Sequence, residues 1–474
     1  MKNPIKFGTD GWRAVIAGDF TFDNVRICAQ GVANYLKASG LANQGVVIGY
    51  DHRFASEDFA AATAEVLAAN DIHVYLSPKA IPTPMVCFGV LLKKTAGGVI
   101  ITASHNPARW NGFKYRENNG ASVSTETSVE LEKHIDKVAA IGKVKQLLLP
   151  NAINDNSVEY LDLVPDYVQR INQLVDLPTL NRADLKIMVD SMYGVGSGYF
   201  KMLLGSGNNK ITEINSERNP SFPDINPEPI APNLKKLMFM VTEQKANIGL
   251  ATDGDADRIG IIDENGRFIT QLQTFALLTL YLLEVRKERG AIIKTVTSTS
   301  MLDRLGELYK VPVYETQVGF KYVAPILIEK NGLIGGEESG GYGFRGHVPE
   351  RDSIPAGLYF LDFMLKTGKT ASQLLAYLYS KVGEHYYDRL DLKLPSEKRE
   401  CIINHLGHQQ PKDICGIKVI KSDTVDGFRW VLADNSWLLI RFSGTEPVLR
   451  IYSEAGDMEK VKRVLVAGRE LTGV

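Results

Sequence analysis

The chain has 474 residues, of which 44% are hydrophobic and 23% charged, and its formal net charge is −1. This composition describes an ordinary globular protein of roughly three or four domains and excludes disordered, collagen-like and coiled-coil classes. The near-zero charge also excludes a broad electrostatic grip on nucleic acid, so any anion must be held by a few placed basic side chains.

Cys28, Cys87, Cys401 and Cys415 show no C-x-x-C spacing, hence no zinc or dithiol signature. Four cysteines in so long a chain do not make a disulfide scaffold, and a reducing cytoplasm is expected. The start M-K-N-P-I-K-F-G-T-D-G has no apolar signal-peptide core. The most apolar helical stretch, Phe275 to Val285, falls short of the ~20 residues of a bilayer span, so no membrane partner is expected.

In chain order, Val46 to Tyr50 reads as a strand, followed by an Ala-rich helix from about Ser56 to Ala69, with Ser56 as N-cap and Glu57 and Asp58 in its first turn. Gly98 to Thr102 is a strand buried on both faces. A polar, Asn-rich stretch from Ile141 to Tyr160 marks a boundary. Leu185 to Asp190 is a strand, a helix follows from about Gly198, and Asn247 to Thr252 is another strand. Ile269 to Gln273 marks the next boundary. Ile292 to Val296 is a strand, a helix follows near Met301, and Leu333 to Gly336 leads into a glycine-rich loop. Beyond Glu384 to Leu394 the grammar changes to period-two alternation around Trp430 to Leu439, then a helix from about Met458 to Leu471. The reading is α/β: three similar α/β domains of mixed sheet plus helices, and a smaller C-terminal α+β domain, with boundaries at 1–150, 151–269, 270–385 and 386–474.

Each of the first three segments ends a strand in a polar loop. In T-D-G-D-A-D-R, Asp253, Asp255 and Asp257 at i, i+2 and i+4 of an extended segment point to one side. Three such carboxylates repel unless a cation lies between them, and hard oxygen ligands suit Mg²⁺. Glu264 falls where an EF-hand needs its last ligand, but Arg258 stands at the glycine position and the flanks are strands. In T-A-S-H-N-P, Ser104 is displayed at the end of a strand, where α/β proteins place ligands; taken alone it reads more readily as a turn residue, and no G-x-S-x-G elbow surrounds it. In G-G-E-E-S-G-G-Y-G, Glu337 and Ser339 suit sugar hydroxyls better than phosphate. In the last segment, Arg441, Ser443, Thr445 and the amides around Gly444 could form an anion nest or an exposed β-turn. D-S-M-Y-G-V-G-S-G-Y-F, with Glu213 about twenty residues on, has the outline of a dinucleotide fingerprint, but its glycine spacing is wrong. A P-loop is absent from the sequence.

In this order the four loops closely resemble the α-D-phosphohexomutases, from F-G-T-D-G-W-R at the start to R-F-S-G-T-E-P-V-L-R near the end. The resemblance implies four domains around a deep central cleft, each giving it one loop: a phosphoserine, a metal-binding, a sugar-binding and a phosphate-binding domain. It implies that Ser104 carries the phosphoryl group and that Asp253, Asp255, Asp257 and the phosphorylated Ser104 bind Mg²⁺. Arg258 lies beside them, Glu337 and Ser339 contact sugar hydroxyls, and Arg441, Ser443, Gly444 and Thr445 hold the distal phosphate. Lys114 and Arg13 assist proton and phosphoryl transfer, His105 joins them as a candidate beside the serine, and Lys321 and Arg351 are further cleft cations.

The implied reaction takes hexose 1-phosphate to hexose 6-phosphate through a 1,6-bisphosphate that turns over in the cleft, with glucose 1,6-bisphosphate as activator. The partner is a small sugar phosphate, the protein a monomer or homodimer. The E-E-S-G loop resembles glucose-type members, whereas R-F-S-G-T-E-P resembles glucosamine-type ones. Phosphoglucomutase therefore leads, followed by phosphomannomutase and phosphoglucosamine mutase. A metal-dependent sugar phosphatase and a non-catalytic sugar-phosphate sensor are the readings from other classes.

Overall fold

A computed structural model describes residues 5–8, 10–394, 396–443 and 448–473. Four sheets follow one another along the chain. The first has six strands, in the order Trp12–Val15, Trp110–Glu117, Gly97–Ile101, Val46–Tyr50, Val74–Leu76 and Val158–Tyr160. The second has five: Phe268–Ile269, Ile259–Ile262, Ile248–Thr252, Lys186–Asp190 and Lys210–Ile214. The third has four: Val313–Thr316, Ile292–Thr295, Ile334–Gly336 and Tyr342–Phe344. Each carries parallel strands and an antiparallel return, which is the mixed sheet expected.

The repeat places the site. In each of the three sheets a parallel strand ends, the chain makes a short polar loop, and it returns antiparallel on the same sheet. The closing pairs are Ile101 with Phe113, Thr252 with Ile259, and Gly336 with Tyr342. The loops carrying Ser104, the three aspartates and Glu337 thus occupy the same topological position.

The fourth sheet is antiparallel, in the order Tyr386–Lys393, Val448–Ala455, Trp437–Phe442, Phe428–Leu432, Ile417–Asp423 and Asp413–Ile414. Its separate core includes Trp430, Leu438, Ile451 and Val464, the last from the helix Met458–Leu471. The first three sheets share a continuous core in which Met85, Leu163, Phe200, Phe275 and Ile354 pack together.

Three local expectations change. Ala55, in the left-handed region, is the N-cap of the helix Ser56–Ala68, because the Ser56 hydroxyl is drawn to the Asp51 carboxylate at 2.8 Å. The strand Val158–Tyr160 joins the first sheet although it lies beyond residue 150, pairing with Val74–Leu76. The apolar run at 275–285 is a helix, Gln271–Leu280, continued by a π-turn at Tyr281–Val285 in the shared core. No helix among the described residues is long and apolar enough to cross a membrane.

Candidate active site

Ser104 is buried and left-handed, with φ of 52°. Its N–H donates to Thr102 Oγ1 at 2.8 Å. This conformation aims its hydroxyl across a domain boundary, where Oγ donates to Asp253 Oδ2 at 3.0 Å and lies 3.3 Å from His105 Nδ1.

The three aspartates converge, with ligand atoms all within 4.8 Å of one another, but not by the geometry expected. Residues 253–258 form a turn, not an extended run, and Ala256 is left-handed at φ 57°. Asp253 Oδ1 ties the turn down by accepting the N–H groups of Asp257 and Arg258 at 2.9 and 3.1 Å. The glycine loop that mimics a dinucleotide fingerprint is packed behind this turn. A Cβ at Gly194 would stand 2.6 Å from Asp253 O, and one at Gly196 2.2 Å from Thr252 Oγ1. Asp190 is used locally, accepting from Met192 N and Asn215 Nδ2. Glu264 accepts from Thr370 Oγ1 at 2.7 Å and Ser372 N at 3.2 Å, away from the aspartates.

Electrostatics split the cluster. Burial, with repulsion from Asp255 and Asp257, pushes Asp253 well above the usual carboxylate range. Burial also works to raise Asp255, but Lys114 and hydrogen bonds hold it far below that range. Asp257 is raised by burial despite Arg351 beside it. Asp255 Oδ1 and Asp257 Oδ1 are buried without a hydrogen-bond partner. Clustered, dry, under-satisfied carboxylate oxygens are the donor set a hard divalent cation takes, so the residues present fit one.

Basic groups surround the carboxylates. Lys114 is fully buried, with Nζ 2.8 Å from Asp10 Oδ2 and 3.0 Å from Asp255 Oδ2. Burial opposes its charge, but Asp10 and Asp255 outweigh it and raise its pKa, so the ammonium stays charged. Arg13 donates to Asn106 Oδ1 at 2.6 Å and lies 3.7 Å from Asp10. Arg258 donates to Glu228 at 3.2 Å. Arg351 reaches Asp257, Glu337 and Glu350 at 2.8, 3.2 and 3.1 Å. His105 is pushed well below its ordinary pKa by burial and by Arg258 and Arg13, so its ring is neutral.

Glu337 and Ser339 lie in the third loop, which joins the second sheet through the Ile259 N–H to Gly340 O at 3.0 Å. The Lys321 ammonium lies 5.1 Å from the Tyr322 ring centre. Arg441 pairs with Asp426 at 3.1 Å, and Ser443 N donates to Val448 O. Gly444 and Thr445 lie outside the described residues.

Sequence reasoning missed four groups. Asp10 gathers Lys114, Arg116, Arg351 and Arg13 around one carboxylate. Arg116 and Glu350 form a buried pair at 3.1 Å. Thr83 donates to Asp255 Oδ2 at 2.6 Å, and Arg53 grips the Ser104 loop. Asp10 lay within F-G-T-D-G-W-R, where a polar run in a chain start destined for burial was the available signal; the others sit in runs with no such mark.

Three α/β domains that each bring one loop to a shared polar cleft, with a fourth α+β domain, define a phosphohexomutase architecture. The phosphoglucomutase/phosphomannomutase family matches in its alpha/beta/alpha domains I, II and III at residues 4–141, 165–266 and 271–382, and in its C-terminal domain at 409–471. A Thermococcus kodakarensis phosphoglucomutase/phosphomannomutase is 32% identical over 98% of both chains. A protein of Methanosphaera stadtmanae, provisionally assigned as a phosphoglucosamine mutase, is 31% identical over 97% of this chain and 96% of its own. A solved structure from Thermus thermophilus, provisionally assigned as a phosphomannomutase, superposes with a TM-score of 0.86 at 33% identity, covering 100% of both chains. The chain belongs to the phosphoglucomutase/phosphomannomutase family and is an enzyme of the intramolecular phosphotransferase class.

Proposed function

We propose that this enzyme interconverts hexose 1-phosphate and hexose 6-phosphate through a phosphoserine at Ser104 and a hexose 1,6-bisphosphate, with glucose phosphates preferred. The observation that carries the reading is the Ser104 hydroxyl at 3.0 Å from Asp253, in a buried cluster of three aspartates walled by Lys114, Arg13, Arg258 and Arg351. A non-catalytic sensor needs neither that serine nor the aspartates.

Asp253, Asp255 and Asp257, with the phosphate on Ser104, would hold Mg²⁺. When bound it supplies positive charge to the oxygens of the transferred phosphoryl group. The chain's own residues do the rest. With Ser104 phosphorylated, the 6-hydroxyl of hexose 1-phosphate attacks in line, Ser104 Oγ leaves, and the 1,6-bisphosphate forms. Lys114 and Arg13 stand on the loop side with fixed positive charge; Lys114, pinned between two carboxylates, serves as a charge and hydrogen-bond donor to the phosphoryl oxygens rather than as a base. In the reverse transfer Ser104 Oγ attacks the phosphate on O1, the bond from phosphorus to the sugar O1 breaks and O1 leaves as the hydroxyl, and the neutral His105 Nδ1 is the acceptor within reach of the serine proton. Glu337 and Ser339 hold ring hydroxyls in both orientations of the bisphosphate, while Arg441, Ser443, Gly444 and Thr445 bind the phosphate not being transferred. The buried cluster keeps water from the phosphoserine.

The sugar preference rests on the E-E-S-G loop, with mannose and glucosamine phosphates as alternatives; the likeness to a relative assigned to glucosamine phosphate keeps that sugar in the test. The experiment is a coupled assay with Mg²⁺ and a trace of glucose 1,6-bisphosphate, offering glucose, mannose and glucosamine 1-phosphates to wild type and Ser104→Ala. Isomerisation of glucose 1-phosphate foremost, lost by several orders of magnitude in the variant, is expected. Full activity in Ser104→Ala would remove the phosphoserine, and phosphate release without isomerisation would replace mutase by phosphatase.

A further inference from the structure

The Ser104 loop is held in a conformation its own sequence does not favour. A left-handed backbone at a residue with a side chain persists only where surroundings over-determine it. Here one side chain takes up most of the loop's main-chain carbonyls. Arg53 is fully buried, and its guanidinium spends its donors on four main-chain carbonyls of one loop. Nη2 donates to Ser104 O and Asn106 O, both at 2.6 Å, and Nη1 donates to Pro107 O and Trp110 O, both at 3.0 Å.

The amide side of Ser104 leads to the same place. Its N–H donates to Thr102 Oγ1, Thr102 Oγ1 donates to Asp51 Oδ2 at 2.5 Å, and Asp51 Oδ2 lies 3.2 Å from Arg53 Nε. Both main-chain groups of Ser104 are thus tied to the Asp51–Arg53 pair. The guanidinium also lies 5.0 Å from the centre of the Phe222 ring in the second domain. Ser104 O meets the metal-type turn as well, because a Cβ at Gly254 would stand 2.4 Å from it.

We infer that Arg53 is a positioning residue for phosphoryl transfer: its four-carbonyl grip sets the left-handed turn that aims Ser104 Oγ at Asp253. The inference rests on the phosphoserine reading of Ser104. A planar fork with five donors in fixed directions can bind four carbonyls at once, whereas an ammonium carries charge without that geometry. Loss of the fork lets the turn relax toward right-handed backbone. Oγ then leaves its line with the acceptor, and the phosphorylated serine is left open to water. The substrate contacts belong to other domains and are unaffected.

The test compares full-length Arg53→Met and Arg53→Lys with wild type and Ser104→Ala. Three quantities are read: gain of one phosphoryl mass from hexose 1,6-bisphosphate, kcat and KM for hexose 1-phosphate, and inorganic phosphate released per mutase turnover. In both folded variants kcat is expected to fall about 100-fold while KM stays within about threefold, since a misplaced reacting group costs rate and not ground-state binding. Phosphate release per turnover is expected to rise, which a merely smaller folded fraction would not produce. Wild-type kcat in Arg53→Lys would overturn the inference, as would a kcat loss with unchanged phosphate release. Failure of both variants to fold would make Arg53 a folding residue and overturn it too. The phosphoserine reading fails separately, by absence of the phosphoryl mass in wild type.

Discussion

Arg351 Nη2 lies 2.8 Å from Asp257 Oδ2, across the boundary between the second and third domains. Through its other arm, 3.2 Å from Glu337, the same guanidinium links the aspartate cluster to the sugar-type loop. Arg351→Met would remove the guanidinium shared by Asp257, Glu337 and Glu350, leaving Glu350 to Arg116 but Asp257 and Glu337 without their buried partner. A loss of about 3–5 kcal/mol in urea unfolding is expected. Added Mg²⁺ should recover part of it, by replacing positive charge at Asp257; an equal loss with and without Mg²⁺ would contradict this.

Burial pushes the Glu337 carboxyl up to about 7, with Arg351 opposing and Glu338 adding to the rise. A raised carboxylate makes the folded state hold its proton longer than the unfolded chain. Its stabilising contribution is full below the unfolded value of 4.5, declines as pH rises toward about 7, and is gone above it. The decline amounts to at most about 3 kcal/mol. Glu337→Gln, measured by thermal melts across that window, should flatten this part of the stability–pH curve.

Gly254 has no room for a side chain, since a Cβ would stand 2.4 Å from Ser104 O. Gly254→Ala must therefore push the aspartate turn and the serine loop apart. A drop in kcat of about 100-fold is expected, with KM for hexose 1-phosphate little changed. An unaltered kcat would mean that the two loops need not touch.

Asp253, Asp255 and Asp257 repel one another in a dry site, so a cation there should stabilise the fold as well as support turnover. Mg²⁺ at about 100 times its Kd should raise the unfolding free energy by about 2.7 kcal/mol. Chelation should abolish activity, and readdition restore it. In Asp255→Asn the melting temperature should lose most of its dependence on Mg²⁺.

Arg429 joins the fourth domain to the third by a two-armed pair with Glu315, at 2.7 and 2.5 Å. Nearby, Val318 N donates to Asp426 and Trp437 Nε1 to Ser300 Oγ. Removing the pair with Arg429→Met should weaken docking by about 2 kcal/mol. Faster proteolysis at residues 383–385 and a raised KM for hexose 1-phosphate are expected, because the loop proposed to bind the distal phosphate belongs to that domain. Unchanged proteolysis would show that the other contacts suffice.

Much of the site was legible because its residues fall in short, chemically conspicuous runs. Ser104, the three aspartates and Glu337 stand at the ends of strands that apolar residues announce. The three carboxylates do converge, though not by the expected geometry: Asp253 ties a turn together, and alternate positions of a strand are not what faces them one way. The spacing of the glycine run at 194–198 set it apart from a dinucleotide fingerprint, yet its use, packing behind the aspartate turn, could not be read from it. Arg53 carried no sign of its importance, since a lone arginine looks the same whether it meets water or a buried partner.

The amino-acid sequence by itself determined the α/β grammar, the three strand-end loops and the groups able to do chemistry, because periodicity and turn residues act over a few neighbours. Only the tertiary structure decided that Asp10 balances four cations, that Arg351 spans two domains and that Arg53 shapes the serine loop. Apart from Asp10 with Arg13, those relations join residues dozens to hundreds of positions apart. Their energies arise from desolvated charges and fixed hydrogen bonds that exist only once the domains have closed on one another.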